Sequence, residues 1–147
     1  MMAQTTSSAT ASLSLPGLSA TGEVLRDAWG IPHVRAASTH DVFLLNGYVH
    51  ATDRMWQMEA PLRRAVGRFA EWAGPSALPA DRLARQLGAE AASRRDYDAL
   101  KPETKEMLHA YAAGVNAWID AGGTTAEHNL LEAKPMRFIP RFSVADV

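Results

Sequence analysis

A long periodic run of apolar residues between Ser38 and Gly74 constrains the fold of this 147-residue chain more than any other feature. Apolar and small side chains recur there in steps of three and four, which is the period of one face of an α-helix. Ser38 and the aspartate three residues later match a helix-capping pattern, and Gly74 is followed by a proline, a pair that ends helices. Pro61 removes one backbone hydrogen bond inside the run, so we expect a kink near Met58 or a break into two helices.

Two further helices are predicted after this run. The segment 79–100 is rich in Ala and Arg and has a thin apolar face. Its predicted core face consists of Leu83, Leu87 and Ala91. The next helix begins at Pro102 and carries a full amphipathic stripe up to Ile119, after which two glycines end it.

Two short alternating runs, E-V-L-R-D from Glu23 and P-H-V-R-A-A from Pro32, precede the long run. Gly30 between them accommodates a positive φ, which is typical of a hairpin. Residues 1–22 are rich in Ser, Thr and Ala and lack the features of a secretory signal, so we predict a flexible leader. We expect a cytoplasmic location, or a periplasmic or secreted one if the true N-terminus differs. The predicted fold class is mainly α with a short N-terminal β-hairpin.

Composition excludes several classes of protein. Hydrophobic residues make up 47% and charged residues 21% of the chain, which is ordinary for a globular domain. The net charge of −1 gives no general attraction to nucleic acid or to an anionic membrane, and no apolar run approaches the ~18 residues of a membrane span. Cysteine is absent, which excludes disulfides and thiolate catalysis. We therefore expect neither a nucleic-acid partner nor a membrane partner.

The sequence lacks the short motifs that are typical of metal or cofactor sites. The five histidines form no H-x-x-x-H or H-E-x-x-H pair, and there is no P-loop, dinucleotide-binding motif, EF-hand loop or G-x-S-x-G elbow. These patterns give no candidate for a metal site or a cofactor. A Ser-His-Asp assembly built from distant residues stays open.

The segment from Gly47 to Arg64 interleaves charged and polar side chains with the apolar period. Glu59 and Arg63 form an i,i+4 pair in the favourable order, and Glu59 falls on the apolar stripe, where an unpaired carboxylate is costly. Either the carboxylates act as acid and base, or the group is a structural polar network between helices, and the spacing favours the network. Its predicted members are Asp53, Arg54, Gln57, Glu59, Arg63 and Arg64.

The arginine-rich segment 79–100 also has some likeness to a helix-turn-helix DNA reader, through L-A-x-x-L-G and the basic positions that follow. Against this hypothesis, the nearby acidic residues match the arginines in number, whereas a DNA-binding module shows a basic footprint. The segment is better interpreted as a solvated helix face.

The motifs taken in order resemble the N-terminal part of the penicillin acylase family. R-D-x-x-G-I-P-H, G-Y-V-H-A-x-D-R-x-W-Q-M-E, R-R and G-R-x-A-E-x-x-G follow one another between Val24 and Gly74. A-Y-A-A-G-V-N-A-W-I-D and L-L-E-A-K-P extend the resemblance to Pro135. Family members are amidohydrolases of the N-terminal-nucleophile class with an αββα core, and their precursor cuts itself into an α chain and a larger β chain.

The resemblance implies that residues 23–147 are a truncated α-chain region. The nucleophile in this family is a Ser, Thr or Cys at the new N-terminus of the β chain, and the oxyanion-stabilising groups also lie there. No catalytic or substrate-binding residue is therefore expected in this chain, and the polar network is expected to be structural. The family's calcium site relies chiefly on the β chain, so no metal is expected here, although calcium is possible in the full enzyme.

We thus predict the α-chain part of an acylase that cleaves an acyl amide, such as a β-lactam side chain or an N-acyl homoserine lactone, with a β chain as partner. This chain alone is predicted to be inactive. An S-x-x-D helix start at Ser143 has no helix body after it, which fits a chain whose relatives continue. His128 stands where an aromatic residue is common in the family. Such departures leave two alternatives: a non-catalytic helical module or decayed acylase relic, and, more remotely, a DNA-binding regulator.

Overall fold

The computed structural model describes residues 14–138. Within them two strands are followed by six α-helices, and a short 3-10 turn at Pro75–Ala77 joins the second helix to the third. The elements are β1 (Glu23–Arg26), β2 (Pro32–Arg35), α1 (Thr39–Ala65), α2 (Ala70–Ala73), α3 (Leu78–Leu87), α4 (Ala89–Ala99), α5 (Pro102–Asp120) and α6 (Ala126–Leu130). The predicted fold class, mainly α with a short N-terminal β-hairpin, is confirmed. The helix start predicted at Ser143 lies outside the described residues.

The hairpin forms where it was predicted, with β1 antiparallel to β2 and Arg26 opposite Pro32. Gly30 has a φ of +79° in the turn. One carboxylate oxygen of Asp27 accepts hydrogen bonds from the backbone N–H groups of Trp29 and Ile31, both at 2.9 Å. The bond from Ile31 is the largest cause that lowers the pKa of Asp27, so the turn is held by an ionised side chain.

Residues 14–22, in the second part of the predicted leader, pack against α1. Leu15 is buried with Leu44 and Leu45 of α1. The Asp41 carboxylate accepts hydrogen bonds from the Ser19 backbone N–H at 2.9 Å and from the Ser19 hydroxyl at 2.6 Å. These bonds lower the pKa of Asp41, the hydroxyl bond being the largest cause. Residues 1–13 lie outside the described part of the chain, so the leader stays a prediction there.

The start of α1 agrees with the capping prediction, because the Ser38 hydroxyl accepts a hydrogen bond from the Asp41 backbone N–H at 3.1 Å. The kink, however, is not near Met58, and that prediction is wrong. The backbone leaves helical geometry at Arg54 (φ −143°, ψ 19°), and the helix then runs on through Pro61. One turn earlier the Thr52 hydroxyl donates to the Tyr48 carbonyl oxygen at 2.9 Å, a contact that bends helices.

The run does break into two helices, but after Ala65. Gly67 has a φ of +68°, and a Cβ on it would lie only 2.5 Å from the Asp81 carbonyl oxygen. The close approach of the α3 backbone therefore requires glycine at this point. Gly74 ends α2 as predicted, with a φ of +73° and its N–H bonded to the Ala70 carbonyl oxygen at 2.9 Å.

The core lies in the seam between α1 and α5. Leu44 and Met55 of α1 and Val115 of α5 are completely buried there. The helices approach backbone to backbone, because Gly47 and Gly114 have no side chain to hold them apart. No helix within residues 14–138 is long and apolar enough to span a membrane.

The predicted core face of the 79–100 segment is wrong. Leu83 is 56% exposed, Leu87 is 75% exposed, and Ala91 is also exposed. The buried residue of α3 is instead Asp81, whose carboxylate accepts hydrogen bonds from the backbone N–H groups of Phe69 and Ala70 at 3.0 and 2.7 Å. Since those groups belong to the free N-terminus of α2, capping it turns α3 so that its leucines face outwards.

Candidate functional site: a buried polar cluster around Glu59

Glu59 lies on α1 beyond the kink and is completely buried. Its carboxylate accepts three hydrogen bonds. Arg63 Nε donates to Oε1 at 2.7 Å, and the Met136 backbone N–H donates to Oε2 at 2.9 Å. His128 Nε2 lies 2.9 Å from the same Oε2 and carries the proton, because a carboxylate only accepts. A buried carboxylate is tolerated in a protein when it is paired and hydrogen-bonded in this way.

Arg63 extends the cluster to α2, where it donates a second hydrogen bond to Glu71. Arg68 also binds Glu71, with Nε 2.5 Å from Oε1. Burial alone raises the pKa of Glu71, but the hydrogen bonds and positive charges of Arg68 and Arg63 outweigh it and leave that pKa below its ordinary value. Two carboxylates therefore balance two guanidinium groups at the junction of α1 and α2.

Aromatic rings enclose these charges. Trp56 and Trp72 are stacked with ring centroids 4.3 Å apart, and the Arg63 guanidinium lies 4.3 Å from the centroid of the Trp72 ring. His128, which is completely buried, meets both tryptophans edge-on at 5.4 and 5.5 Å. Its Nδ1 lies 2.8 Å from the hydroxyl of Thr125, the residue that caps α6. Stacking and cation–π contact stabilise such a cage by roughly 0.5–1.5 kcal/mol per pair.

The structure brings together two of the six residues predicted for the polar network, Glu59 and Arg63. Asp53 belongs to a separate pair with Arg26 of the hairpin, whose guanidinium nitrogens lie 2.7 and 2.9 Å from its carboxylate oxygens. Arg64 lies over the Phe69 ring at 3.9 Å.

The other two predicted members do not join the cluster. The side chains of Arg54 and Gln57 are exposed, and neither takes part in the hydrogen bonds or ion pairs around Glu59. Asp53, Gln57 and Arg64 have the spacing of one helix face, but the kink at Arg54 falls within that stretch, and each of the three has different surroundings.

Four residues of the cluster were missed, namely Arg68, Glu71, His128 and Met136. His128 is 69 positions from Glu59 and Met136 is 77 positions away, so no spacing rule connects them. Glu71 is eight positions from Arg63, beyond the helix break. The available signal was the position of Glu59 on the apolar stripe. It indicates that the carboxylate has partners but does not identify them.

The penicillin amidase family model matches residues 21–147. The chain belongs to this family. It is 50% identical over 135 residues to penicillin acylase 2 proenzyme of Pseudomonas sp. (strain SE83), a match that covers 91% of this chain and 17% of the relative. It is 40% identical over 105 residues to an acyl-homoserine lactone acylase of Pseudomonas fluorescens, which covers 71% of this chain and 13% of that protein.

The chain thus spans less than a fifth of the length of the curated relatives that it matches. A solved structure gives the same family. The thermostable penicillin G acylase of Alcaligenes faecalis superposes with a TM-score of 0.74 and 28% sequence identity, and the match covers 83% of this chain and 67% of that one.

In this penicillin amidase family member, Thr125, His128 and Glu59 form a hydroxyl–imidazole–carboxylate chain with distances of 2.8 and 2.9 Å. These are the distances of a catalytic triad, the assembly that the sequence left open. The surroundings differ from those of a triad, because the imidazole, which would have to reach a substrate, is completely buried and the carboxylate is also bound by Arg63. The Thr125 hydroxyl serves as the N-cap of α6, so the arrangement is interpreted as structural.

The remaining polar groups bear on metal binding and on the DNA-binding hypothesis. Within residues 14–138, no three His, Asp or Glu side chains are placed to hold a metal ion. Arg85 donates to the Gly67 carbonyl oxygen at 3.0 Å, and Arg94 donates to Glu90 at 2.8 Å. Two of the arginines behind the DNA-binding hypothesis are therefore engaged within the fold.

Proposed function

We propose that this chain is the α-chain segment of an acylase that hydrolyses an acyl amide to a carboxylic acid and an amine. The observation that carries the proposal is the family match over residues 21–147, together with 50% identity to a penicillin acylase proenzyme over 91% of the chain. In this proposal the nucleophile lies on a β-chain segment, and the present chain is a scaffold for it.

The geometry of the polar cluster supports a scaffold role. Within residues 14–138, every buried side-chain nitrogen or oxygen atom has a hydrogen-bond partner. A group poised to attack a substrate or to transfer a proton needs an open side, and Glu59 and His128 at the centre of the cluster are completely buried. The cluster therefore joins helices and takes no direct part in the reaction.

Exposed apolar side chains supply the second support. Trp29 at the hairpin turn is 88% exposed, Leu87 on α3 is 75% exposed, and Leu130 on α6 is 85% exposed. Both Val24 and Leu25 of β1 are also exposed, although neighbouring residues of a strand point to opposite faces. We take the exposed apolar side chains of the hairpin, which are grouped on β1 and the turn that joins it to β2, as a surface that packs against other protein.

The proposed reaction divides between the two segments. A hydroxyl or thiol at the N-terminus of the β segment attacks the amide carbonyl and gives up its proton to its own α-amino group. The amine leaves with that proton, and water then cleaves the acyl–enzyme bond to release the acid and restore the nucleophile. The names of the relatives point to penicillins and acyl-homoserine lactones as substrate classes.

Complementation tests this proposal. The full 147-residue chain is refolded together with the β segment of the Pseudomonas sp. SE83 acylase, and release of a chromogenic anilide from an acyl anilide is measured. We expect activity with the pair and none with either component alone. Thr125→Ala is a matched control that should keep full activity, because the Thr125 hydroxyl is a helix cap in this proposal.

Two outcomes contradict the proposal. Hydrolysis by the 147-residue chain alone, abolished in Thr125→Ala, would place a nucleophile in this chain. A chain that unfolds cooperatively but neither binds the β segment nor raises its activity would instead be a non-catalytic helical module.

A further inference from the structure

The chain after α6 follows a fixed path back across the helices, over residues 131–138, here called the strap. It turns at Glu132, which has a φ of +51°, and the Ala133 N–H donates to the His128 carbonyl oxygen at 2.9 Å. Two residues of the strap then attach through their backbone to different helices, and the side chain of Arg137 between them pairs with the Asp120 carboxylate of α5. The Met136 N–H is held by Glu59 of α1, and Phe138 is held by Asn116 of α5.

Asn116 holds Phe138 at two points. Its side-chain oxygen accepts the Phe138 N–H at 2.9 Å, and its side-chain nitrogen donates to the Phe138 carbonyl oxygen at 2.7 Å. The side-chain amide thus pairs with both backbone polar groups of Phe138, as a neighbouring strand does in a sheet. The Phe138 side chain packs against the buried cluster of Ala51, Met55, Val115 and Trp118, so backbone bonds and side-chain packing both hold this residue.

The surroundings hold the Glu59 side chain more firmly than the Asn116 side chain. Glu59 is completely buried and also holds His128 on α6, so its oxygen atoms are fixed before the strap binds. Asn116 is partly buried on a regular helix. Removing its amide therefore frees the strap at Phe138 without opening the buried cluster.

We propose that Asn116 and Glu59 are positioning residues, which hold the strap across the α1–α5 seam and so fix the positions of Met136 and Phe138. This inference rests on the proposed function, since the position of the strap affects activity only if another acylase segment must pack beside it. Neither residue touches the reacting atoms. They act through the backbone of Met136 and Phe138.

The test uses the full chain with Asn116→Ala, which keeps a good helix former in α5. Backbone amide hydrogen exchange is measured for residues 131–138 and for the α1 and α5 core. We expect exchange at Phe138 to rise roughly 10-fold or more, the effect of losing a hydrogen bond together with its partner bond, while exchange at Leu44 and Val115 stays unchanged. Asn116→Asp retains the acceptor oxygen and should restore part of the protection.

The same variants are then complemented with the β segment and assayed well below their Tm. Asn116→Ala should lower kcat/KM by about 10-fold or more, and Asn116→Asp should recover part of the loss. Asp53→Asn is the matched control, because it breaks the ion pair with Arg26, away from the strap, and should alter neither strap exchange nor activity.

Three results overturn the inference or separate it from the proposed function. Exchange at Phe138 within about twofold of the wild type in Asn116→Ala would show that the amide does not hold the strap. Raised exchange with full activity would show that the strap position is irrelevant to the acylase. If the wild-type chain gives no activity with the β segment, the proposed function fails, and the exchange measurement still decides whether Asn116 holds the strap.

Discussion

Where α5 crosses α1, Gly114 leaves no room for a side chain. A Cβ on Gly114 would lie 1.9 Å from the Leu44 carbonyl oxygen and 2.8 Å from the Tyr48 backbone nitrogen. From the other side, a Cβ on Gly47 would lie 2.1 Å from the Tyr111 carbonyl oxygen. These obstacles are backbone atoms, which cannot rotate away as a flexible side chain does.

The cost of Gly114→Ala follows from this geometry. Since Cβ atoms do not come closer than 3.0 Å, the helices must separate by 3.0 minus 1.9, or 1.1 Å, at this point. Such a gap loosens the contacts of Leu44, Met55 and Val115, which are completely buried in the same seam. Overpacking costs about 1–3 kcal/mol, and the rigid obstacle places this case at the upper end. Alanine regains about 1 kcal/mol of helix propensity, which leaves a net loss of about 2 kcal/mol.

Urea unfolding followed by helical circular dichroism measures this difference. Ala113→Gly, at the neighbouring exposed position of α5, is the matched control and should lose about 1 kcal/mol from propensity alone. If helix propensity alone also determined the effect at residue 114, Gly114→Ala would raise the free energy of unfolding by the amount that Ala113→Gly lowers it. A Gly114→Ala variant as stable as the wild type, or more stable, would therefore refute the backbone contact between α1 and α5.

The polar contacts and the exposed leucines give three further predictions. Glu59→Gln removes the charge that the buried Arg63 requires and should cost about 3–5 kcal/mol in urea unfolding, against about 0–1 kcal/mol for Asp53→Asn in the more exposed pair. The lowered pKa of Asp41 stabilises the fold above the unfolded value of about 3.9, and that stability is lost as the pH falls through the folded value. Ser19→Ala should therefore flatten the loss of stability below about pH 4, which urea midpoints across pH would show. Leu87→Ser should change stability by less than about 0.5 kcal/mol but weaken association with the β segment, measured by gel filtration.

Sequence reasoning succeeded where the signal is local. The hairpin depends on a glycine that takes a positive φ at residue 30, and the start of α1 depends on a hydroxyl three residues from the N–H that it binds. α5 shows its stripe because one partner, α1, covers one face of it. In each case the physical cause lies within a few residues of its effect, so a single sequence contains it.

Sequence reasoning failed where a polar contact between distant residues decides which face is buried. Leu83 and Leu87 have the spacing of a core face, yet Asp81 is buried in their place because it caps α2. His128 was noted as a departure from the family pattern, but its contact with Glu59 spans 69 positions. Periodicity predicted the fold class, and the family resemblance added the expectation of a scaffold role.

The buried charges around Glu59 raise the question of why an apolar core does not occupy the same place. A buried ion pair gives little net stability over well-packed apolar residues, because desolvation offsets its attraction. Apolar contacts have no preferred direction, so helices packed through them can shift relative to one another. The hydrogen bonds of Glu59, by contrast, fix Arg63, His128 and the Met136 N–H in definite directions. We infer that the cluster is kept for geometry: it sets α1, α6 and the strap relative to one another. Under the proposed function, in which this chain packs against a β segment, defined helix positions matter more than extra stability.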